Sequence, residues 1–356
     1  MGVYGPWQGQ WGIVENEDFD FGETPANDRP TLLGATGLVA SNPFLPLIDK
    51  AILAPNWNLI DQRKQTGSPQ RYTGTGGEFL RGNQSPTVTL PLHLSAEALG
   101  LFGSLLMQGG VNQEGSGTQY KKTMLLYESA DPVLYSSVLF WLSEGQGDDP
   151  SEGFVAIDGA ICKTLSLSGQ QGQPVKLSAE MVGWKWQAGD SDTLGMSLTP
   201  PSVTDLMFSD MTAYFGYGTS ANIIAFDLSI TNNAKPDFRN GSQYCKKILL
   251  QDLTGSGSIT IPFSEDDYTI HNDLATCAHR DLKLAWGTDP PADPDANGEL
   301  LLDLSCIIND PEPDFSQGEM AWKYPFILAA STPAGADAAV RIVVRDNVER
   351  HGISGP

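Results

Sequence analysis

The chain has 356 residues and a formal net charge of −22, with 43 acids against 21 lysines and arginines. That balance works against tight nucleic-acid binding, which needs clustered cations, and it keeps free subunits apart in solution. No run of about 18 apolar residues occurs, so no membrane-spanning helix is expected.

The start, "MGVYGPWQGQWGIVENEDFDFGE", has neither a basic opening nor an apolar stretch, so no secretory signal is expected. The four cysteines (Cys162, Cys245, Cys277, Cys306) are widely spaced and read as free thiols in a reducing compartment. Sequons at Asn83 and Asn240 then carry no weight. With 38 Gly, 24 Pro and 40% hydrophobic residues, the composition suits strands and turns, and the length suits two domains.

In chain order, the first strand signal is "AILAPNW" (51–57), followed by a long polar stretch, 61–81. In "TVTLPLHL", Val88, Leu90, Leu92 and Leu94 alternate with polar residues or proline, which predicts a strand buried on one face. Pro91 cannot donate to a ladder, which points to an edge or a strand end. Ser95 is a candidate N-cap for a helix over 96–107, where Leu99, Phe102, Leu105 and Leu106 share a face. Strands are predicted at "TLSLS" (164–168), "VKLSAEM" (175–181), "AFDLSI" (225–230) and "SITIPF" (258–263). Ser264, followed by Glu265, Asp266 and Asp267, predicts a second helix start. The chain closes with "ELLLDLS", "AWKYPFIL" (321–328) and "VRIVV" (340–344).

These elements repeat. Val88-Thr89-Leu90-Pro91 matches Ile259-Thr260-Ile261-Pro262 at an offset of 171. "AILAPNW" matches "LSITNNA" (228–234) at 177, and "GQPVKLSAEMVG" (172–183) matches "GEMAWKYPFILA" (318–329) at 146. About 25 additional residues fall within 108–153 of the first copy. The expected fold is mostly β: two tandem copies of a small β-barrel or sandwich, each with one flanking α-helix. The Gly, Ser, Thr and Pro cluster at 189–205 puts the boundary between residues 1–196 and 197–356.

Basic residues concentrate after the first strand of each copy. The stretch 61–81 holds Arg63, Lys64, Arg71, Tyr72 and Arg81, and 235–247 holds Lys235, Arg239, Lys246 and Lys247. Together these 34 residues carry 8 of the 21 basic side chains and 3 of the 43 acids, a polarity that favours head-to-tail association.

Catalytic and ligand-binding patterns are weak. Only four histidines occur (His93, His271, His279, His351), without HExxH or GxSxG. His271 and His279 sit eight apart near Cys277, a spacing that could put ligands on two turns of a helix, but such residues are more often satisfied core or surface groups, and no metal is expected. "DPDANGE" (293–299) opens like a calcium loop, but its twelfth position is Leu304 where a bidentate Glu is required, so it reads as a turn before a strand. No phosphate-binding Gly-rich loop and no cofactor is expected. The carboxylates and eight Trp leave open a carbohydrate-binding module or glycoside hydrolase on a β-sandwich.

Five segments carry a family resemblance: "WGIVENEDFDFGE", "FLPLIDKAILAPNW" (44–57), "GAICKTLSLSGQQGQPVKLSAEMVG" (159–183), "DLSITNNAKPDFRNGS" (227–242) and "LTGSGSITIPFSEDD" (253–267). In their order along the chain they resemble the tail tube (major tail) proteins of long-tailed bacteriophages. The resemblance implies a small β-barrel or sandwich whose inner sheets join around a ring. Such rings stack into a tube, and DNA passes through a negatively charged lumen without being held. By position, the loops 61–81 and 235–247 are then the inter-ring contacts. Two copies per chain imply a trimeric, pseudo-hexameric ring. Tape-measure and tail-terminator or tip proteins are implied as partners, in a virion tail assembled in the host cytoplasm. A different β-rich virion or secretion-tube component is the neighbouring alternative.

Overall fold

Thr, Val, Ile and Leu at alternating positions dictate strands over most of this chain. The computed structural model describes residues 9–16, 52–54, 56–61, 79–107, 111–116, 119–125, 135–142, 154–189, 205–215, 221–239, 243–262, 279–287, 298–315, 320–329 and 339–346.

The first half opens with β1 (Gly9–Asn16), β2 (Ile52–Ala54), β3 (Trp57–Asp61), β4 (Phe79–Gln84) and β5 (Thr87–His93). Then come α1 (Ala96–Met107), β6 (Val111–Ser116), β7 (Gln119–Leu125), β8 (Tyr135–Leu142), β9 (Phe154–Gln170), β10 (Lys176–Val182) and β11 (Lys185–Gly189). The second half holds β12 (Met211–Phe215), β13 (Ala225–Thr231), β14 (Lys235–Asp237), β15 (Lys247–Leu249) and β16 (Thr254–Pro262). It ends with β17 (His279–Gly287), β18 (Gly298–Ile308), β19 (Glu312–Asp314), β20 (Ala321–Leu328) and β21 (Val340–Asp346).

Every ladder among the described residues is antiparallel. In the first half, neighbours run β1–β8–β9–β10–β5–β2, with β11 also on β9. In the second they run β12–β17–β18–β20–β16–β13, with β21 also on β18. Between β2 and β5 stands the hairpin β3–β4; between β13 and β16 stands β14–β15.

One local device also recurs. Asn56 (φ 45°) and Asn233 (φ 50°) are the described non-glycine residues with left-handed backbone, a conformation that Asn tolerates better than most residues. Each follows β2 or β13 by two residues. The Asn56 side-chain amide donates to Thr87 Oγ1 at 2.9 Å, and that of Asn233 to Thr254 Oγ1 at 3.2 Å. Both threonines open the next strand of the sheet, β5 and β16.

The halves are joined in three ways. β9 pairs with β13 over seven residue pairs, Thr164↔Thr231 to Gln170↔Ala225. β7 pairs with β21. Helix α1 packs on β9, β7 and β21. One apolar core therefore runs through both halves, from Leu90 and Phe102 to Trp286 and Tyr324.

Helix α1 begins where the N-cap predicts: Ser95 Oγ accepts from Ala98 N–H at 3.1 Å. It is buried on every side from Ala98 to Met107, wider than the single apolar face read from the sequence. Gly100 lets it close on the sheet, since a Cβ there would stand 2.6 Å from Asp346 Oδ2. Beneath it Lys122 on β7 and Asp346 on β21 form a fully buried ion pair.

Pro91 lies in β5 beyond the reach of β2, whose described pairing stops at Thr89. Residues 61–81 are not wholly a loop: Asp61 ends β3, and Phe79–Arg81 open β4, because the two strands pair. Likewise Lys235–Asp237 and Lys247 belong to a hairpin. The predicted second helix after Ser264 lies outside the described residues.

Candidate functional site

The β9–β13 pairing makes one sheet of β5–β10–β9–β13–β16–β20, which crosses from the first half into the second. Cross-strand partners share a face, so the ladders show what each face carries. One row reads Leu92, Leu177, Leu167, Leu228, Gly257 and Phe326, all on the core side. Gly257 is required there: a Cβ would meet Phe326 Cζ at 2.6 Å and the Asp227 carbonyl at 2.3 Å.

The opposite face is built of small hydroxyl residues. One row holds Thr89, Glu180, Thr164, Thr231 and Thr254. The next holds Pro91, Ser178, Ser166, Ser229, Ser256 and Ile327, and the third His93, Lys176, Ser168, Asp227, Ser258 and Pro325. At the seam between the halves, Thr164 Oγ1 donates to Thr231 Oγ1 and Ser166 Oγ to Ser229 Oγ, each at 3.3 Å. Ser258 donates to the Asp227 carboxylate. Lys163 and Glu180 pair at 2.9 Å, both about one-third exposed. Acids on this face are matched by Lys163, Lys176 and Lys323, so the face offers hydroxyls and balanced charge, without a cationic track for phosphate.

The seam is pinned by one buried amide. Asn232 Nδ2 donates to Cys162 O at 2.8 Å and to Leu106 O, in the last turn of α1, at 3.2 Å. Its Oδ1 accepts from Ala234 N–H at 3.1 Å. From there the hairpin β14–β15 folds back over the first half. Phe238, Tyr244, Cys245 and Ile248 pack on Ile161, Val182 and Trp184. Tyr244 meets the Trp184 ring with centroids 5.7 Å apart, and Lys185 Nζ lies 5.4 Å from the Tyr244 centroid.

This hairpin carries the basic residues singled out in the second half. Lys235, Lys246 and Lys247 are exposed, as is Arg239, which pairs with Asp237 at 3.1 Å. In the first half, Arg81 lies in β4, while Arg63, Lys64, Arg71 and Tyr72 lie outside the described residues. The hydroxyl face was missed as a site, although its signal is visible as Ser/Thr at every second position in "TLSLS", "DLSIT" and "SGSIT".

The described thiols are inert. Burial pushes Cys162 up, and burial also raises Cys245 and Cys306 to about 12 each, with nearby acids adding to the shift. Among the described residues no group of three His, Cys, Asp or Glu could hold a metal. His279 lies in β17, while His271 and Cys277 lie outside the described residues, as do residues 293–297 of the calcium-like string. No helix among the described residues is long and apolar enough to cross a membrane.

Fold and face together define a β-sheet scaffold whose sheet continues from the first half of the chain into the second. A family model described as phage tail tube protein matches residues 13–340, and the chain belongs to that family. It is thus a structural protein of the phage virion tail, mostly β in fold. No curated protein matches the chain in the comparison made.

Proposed function

We propose that the chain is a duplicated tail tube subunit, that three chains close a pseudo-hexameric ring, and that rings stack head-to-tail into the conduit for DNA. The observation that carries this reading is the shared sheet: β9 and β13 join two sets of strands with the same neighbour order. The paired Asn56–Thr87 and Asn233–Thr254 bonds support the duplication. In this reading the units are residues 1–196 and 197–356, and each brings a flanking helix.

The hydroxyl face lines the bore. Hydroxyls hold water and offer no fixed cations, so a polyanion slides past without the counterion release that makes binding tight. The lining is then hydroxyl-rich and nearly balanced in charge, instead of acidic as the family resemblance implied. The net charge of −22 resides elsewhere on the chain. Lys235, Arg239, Lys246 and Lys247, with Arg63, Lys64, Arg71, Tyr72 and Arg81, reach the adjacent ring. Tape-measure and terminator or tip proteins bind the completed tube, which is assembled in the host cytoplasm. The reading calls for neither a cofactor nor catalysis.

Negative-stain electron microscopy of the purified chain, across a concentration and salt series, tests this. Hollow rings or tubes with three-fold, nearly six-fold end views are expected. Persistent monomers at high concentration would sink the reading.

A further inference from the structure

We infer that Lys122 and Asp346 join covalently once the chain has folded: Lys122 Nζ and Asp346 Cγ form an amide with loss of one water, and this isopeptide bond ties the first half of the chain to β21.

Register brings the two groups together. Lys122 lies opposite Val344 in the β7–β21 ladder and Asp346 opposite Tyr120, so the side chains are diagonal neighbours on one face of an antiparallel pair. A long amine and a short carboxyl span that diagonal. Both side chains are fully buried. Nζ donates to Oδ2 at 2.5 Å and to Oδ1 as well, so it faces the carboxyl carbon within the roughly 3–3.5 Å of a near-attack arrangement. Helix α1 covers the site closely. A Cβ on Gly100 would stand 2.6 Å from Oδ2 and 3.7 Å from Nζ.

An ion pair without water is costly, and passing one proton from Nζ to the carboxyl removes both charges. That leaves an amine beside an acid, and the Nζ lone pair bonds to Cγ. Glu97, one turn before Gly100 on the same face of α1, carries the remaining proton. Burial holds its carboxyl above the ordinary range; Asp346 adds to that shift and Lys122 opposes it. As a carboxylate, Glu97 accepts one proton from Nζ and returns it to Oδ2. The Cγ–Oδ2 bond breaks, and the oxygen leaves as water. Nζ keeps one hydrogen and Cγ keeps Oδ1, so the step needs no oxidant, reductant or cofactor. An ion pair kept for stability alone gains nothing from a second acid near Asp346, because like charges oppose each other's ionisation.

Intact-mass spectrometry of the purified full chain, denatured, tests the bond. The chain should weigh less than its sequence by one water. Proteolysis should yield a branched peptide joining the segments around Lys122 and Asp346. Asp346→Asn should lose one ammonia instead, since the leaving group is then an amide nitrogen. Glu97→Gln should fold, judged by near-ultraviolet circular dichroism, and keep its full mass. That chain, ion-paired but unlinked, is the reference for the pair's own contribution to stability. A wild-type chain of full mass, or one whose lost water maps to any other peptide, would overturn the bond. Complete linkage in Glu97→Gln would overturn the part given to Glu97.

Discussion

The two halves share a neighbour order and differ in how they are finished. In the first, β9 runs unbroken for 17 residues and is flanked on both sides at its C-terminal end, by β10 and β13. In the second, the same course is split into β18 and β19 by Asn309–Pro311. Proline removes a ladder donor and so suits an edge, where it also discourages indiscriminate pairing, better than a strand flanked on both sides. The first half also carries β6–β7, which the second lacks among the described residues, and uses it to hold β21. The same strand order therefore runs continuously where the halves join, at β9, and is interrupted between β18 and β19.

Removing the buried ion pair is the harshest way to test how the halves join. Asp346→Ala leaves Lys122 charged in a dry site beneath α1, and the expected loss is about 3–5 kcal/mol in chemical denaturation. Lys122→Met with Asp346→Leu should recover much of it, because an apolar pair of similar volume needs no partner. Full stability of Asp346→Ala would mean that β7 does not hold the halves together.

Asn232→Leu attacks the other side of the seam. It strands the carbonyls of Leu106 and Cys162, and about 1–3 kcal/mol should be lost for a buried group left unsatisfied. Hydrogen exchange should quicken first in β13 and the adjoining part of β9. Uniform quickening across both halves would instead show one undivided cooperative unit.

The buried thiols give a smaller, pH-dependent effect. Cys306 in the second half and Cys245 on the hairpin are raised from the ordinary 9.0 to about 12 by burial. Between those values the unfolded chain loses its thiol protons while the folded chain keeps them. Stability is therefore intact below about pH 9 and falls as pH rises, by about 1.4 kcal/mol per unit for each thiol. Denaturation at pH 8 and pH 10.5 should show the fall, and Cys306→Ala should reduce its slope. At the far end of the scale, Pro313→Thr should leave monomer stability unchanged within about 0.5 kcal/mol, as for most exposed substitutions. Light scattering should then detect assembly at a lower protein concentration, since β19 regains a ladder donor.

Much of this was legible as pattern. Helix 96–107, its Ser95 cap and the strands at 164–168, 175–181, 225–230, 321–328 and 340–344 follow from periodicity and capping chemistry. Register was not legible, because a period-two pattern matches itself at every even shift. Under the proposed duplication, Thr87 corresponds to Thr254, which lies four residues from where the Val88 and Ile259 strings align. The string match of 172–183 with 318–329 sets Leu177 against Lys323, although Leu177 is core and Lys323 shares the hydroxyl side. An odd shift reverses faces. The bore-facing candidates were hidden for a related reason: alternation separates two faces, and only the seam between β9 and β13 shows which polar residues become continuous. The charged loops were visible as composition, but their folding into hairpins depends on pairings between distant residues.

The β9–β13 seam also bears on assembly as mass action. Under the proposed reading of a six-unit ring made of three chains, half of the lateral junctions form during folding, at an effective concentration set by the chain itself. The remaining three must be made by collision. Ring formation then varies with the third power of subunit concentration instead of the sixth, and dilution penalises it far less. A virus that must build many rings from a modest pool of protein gains most from that lower order.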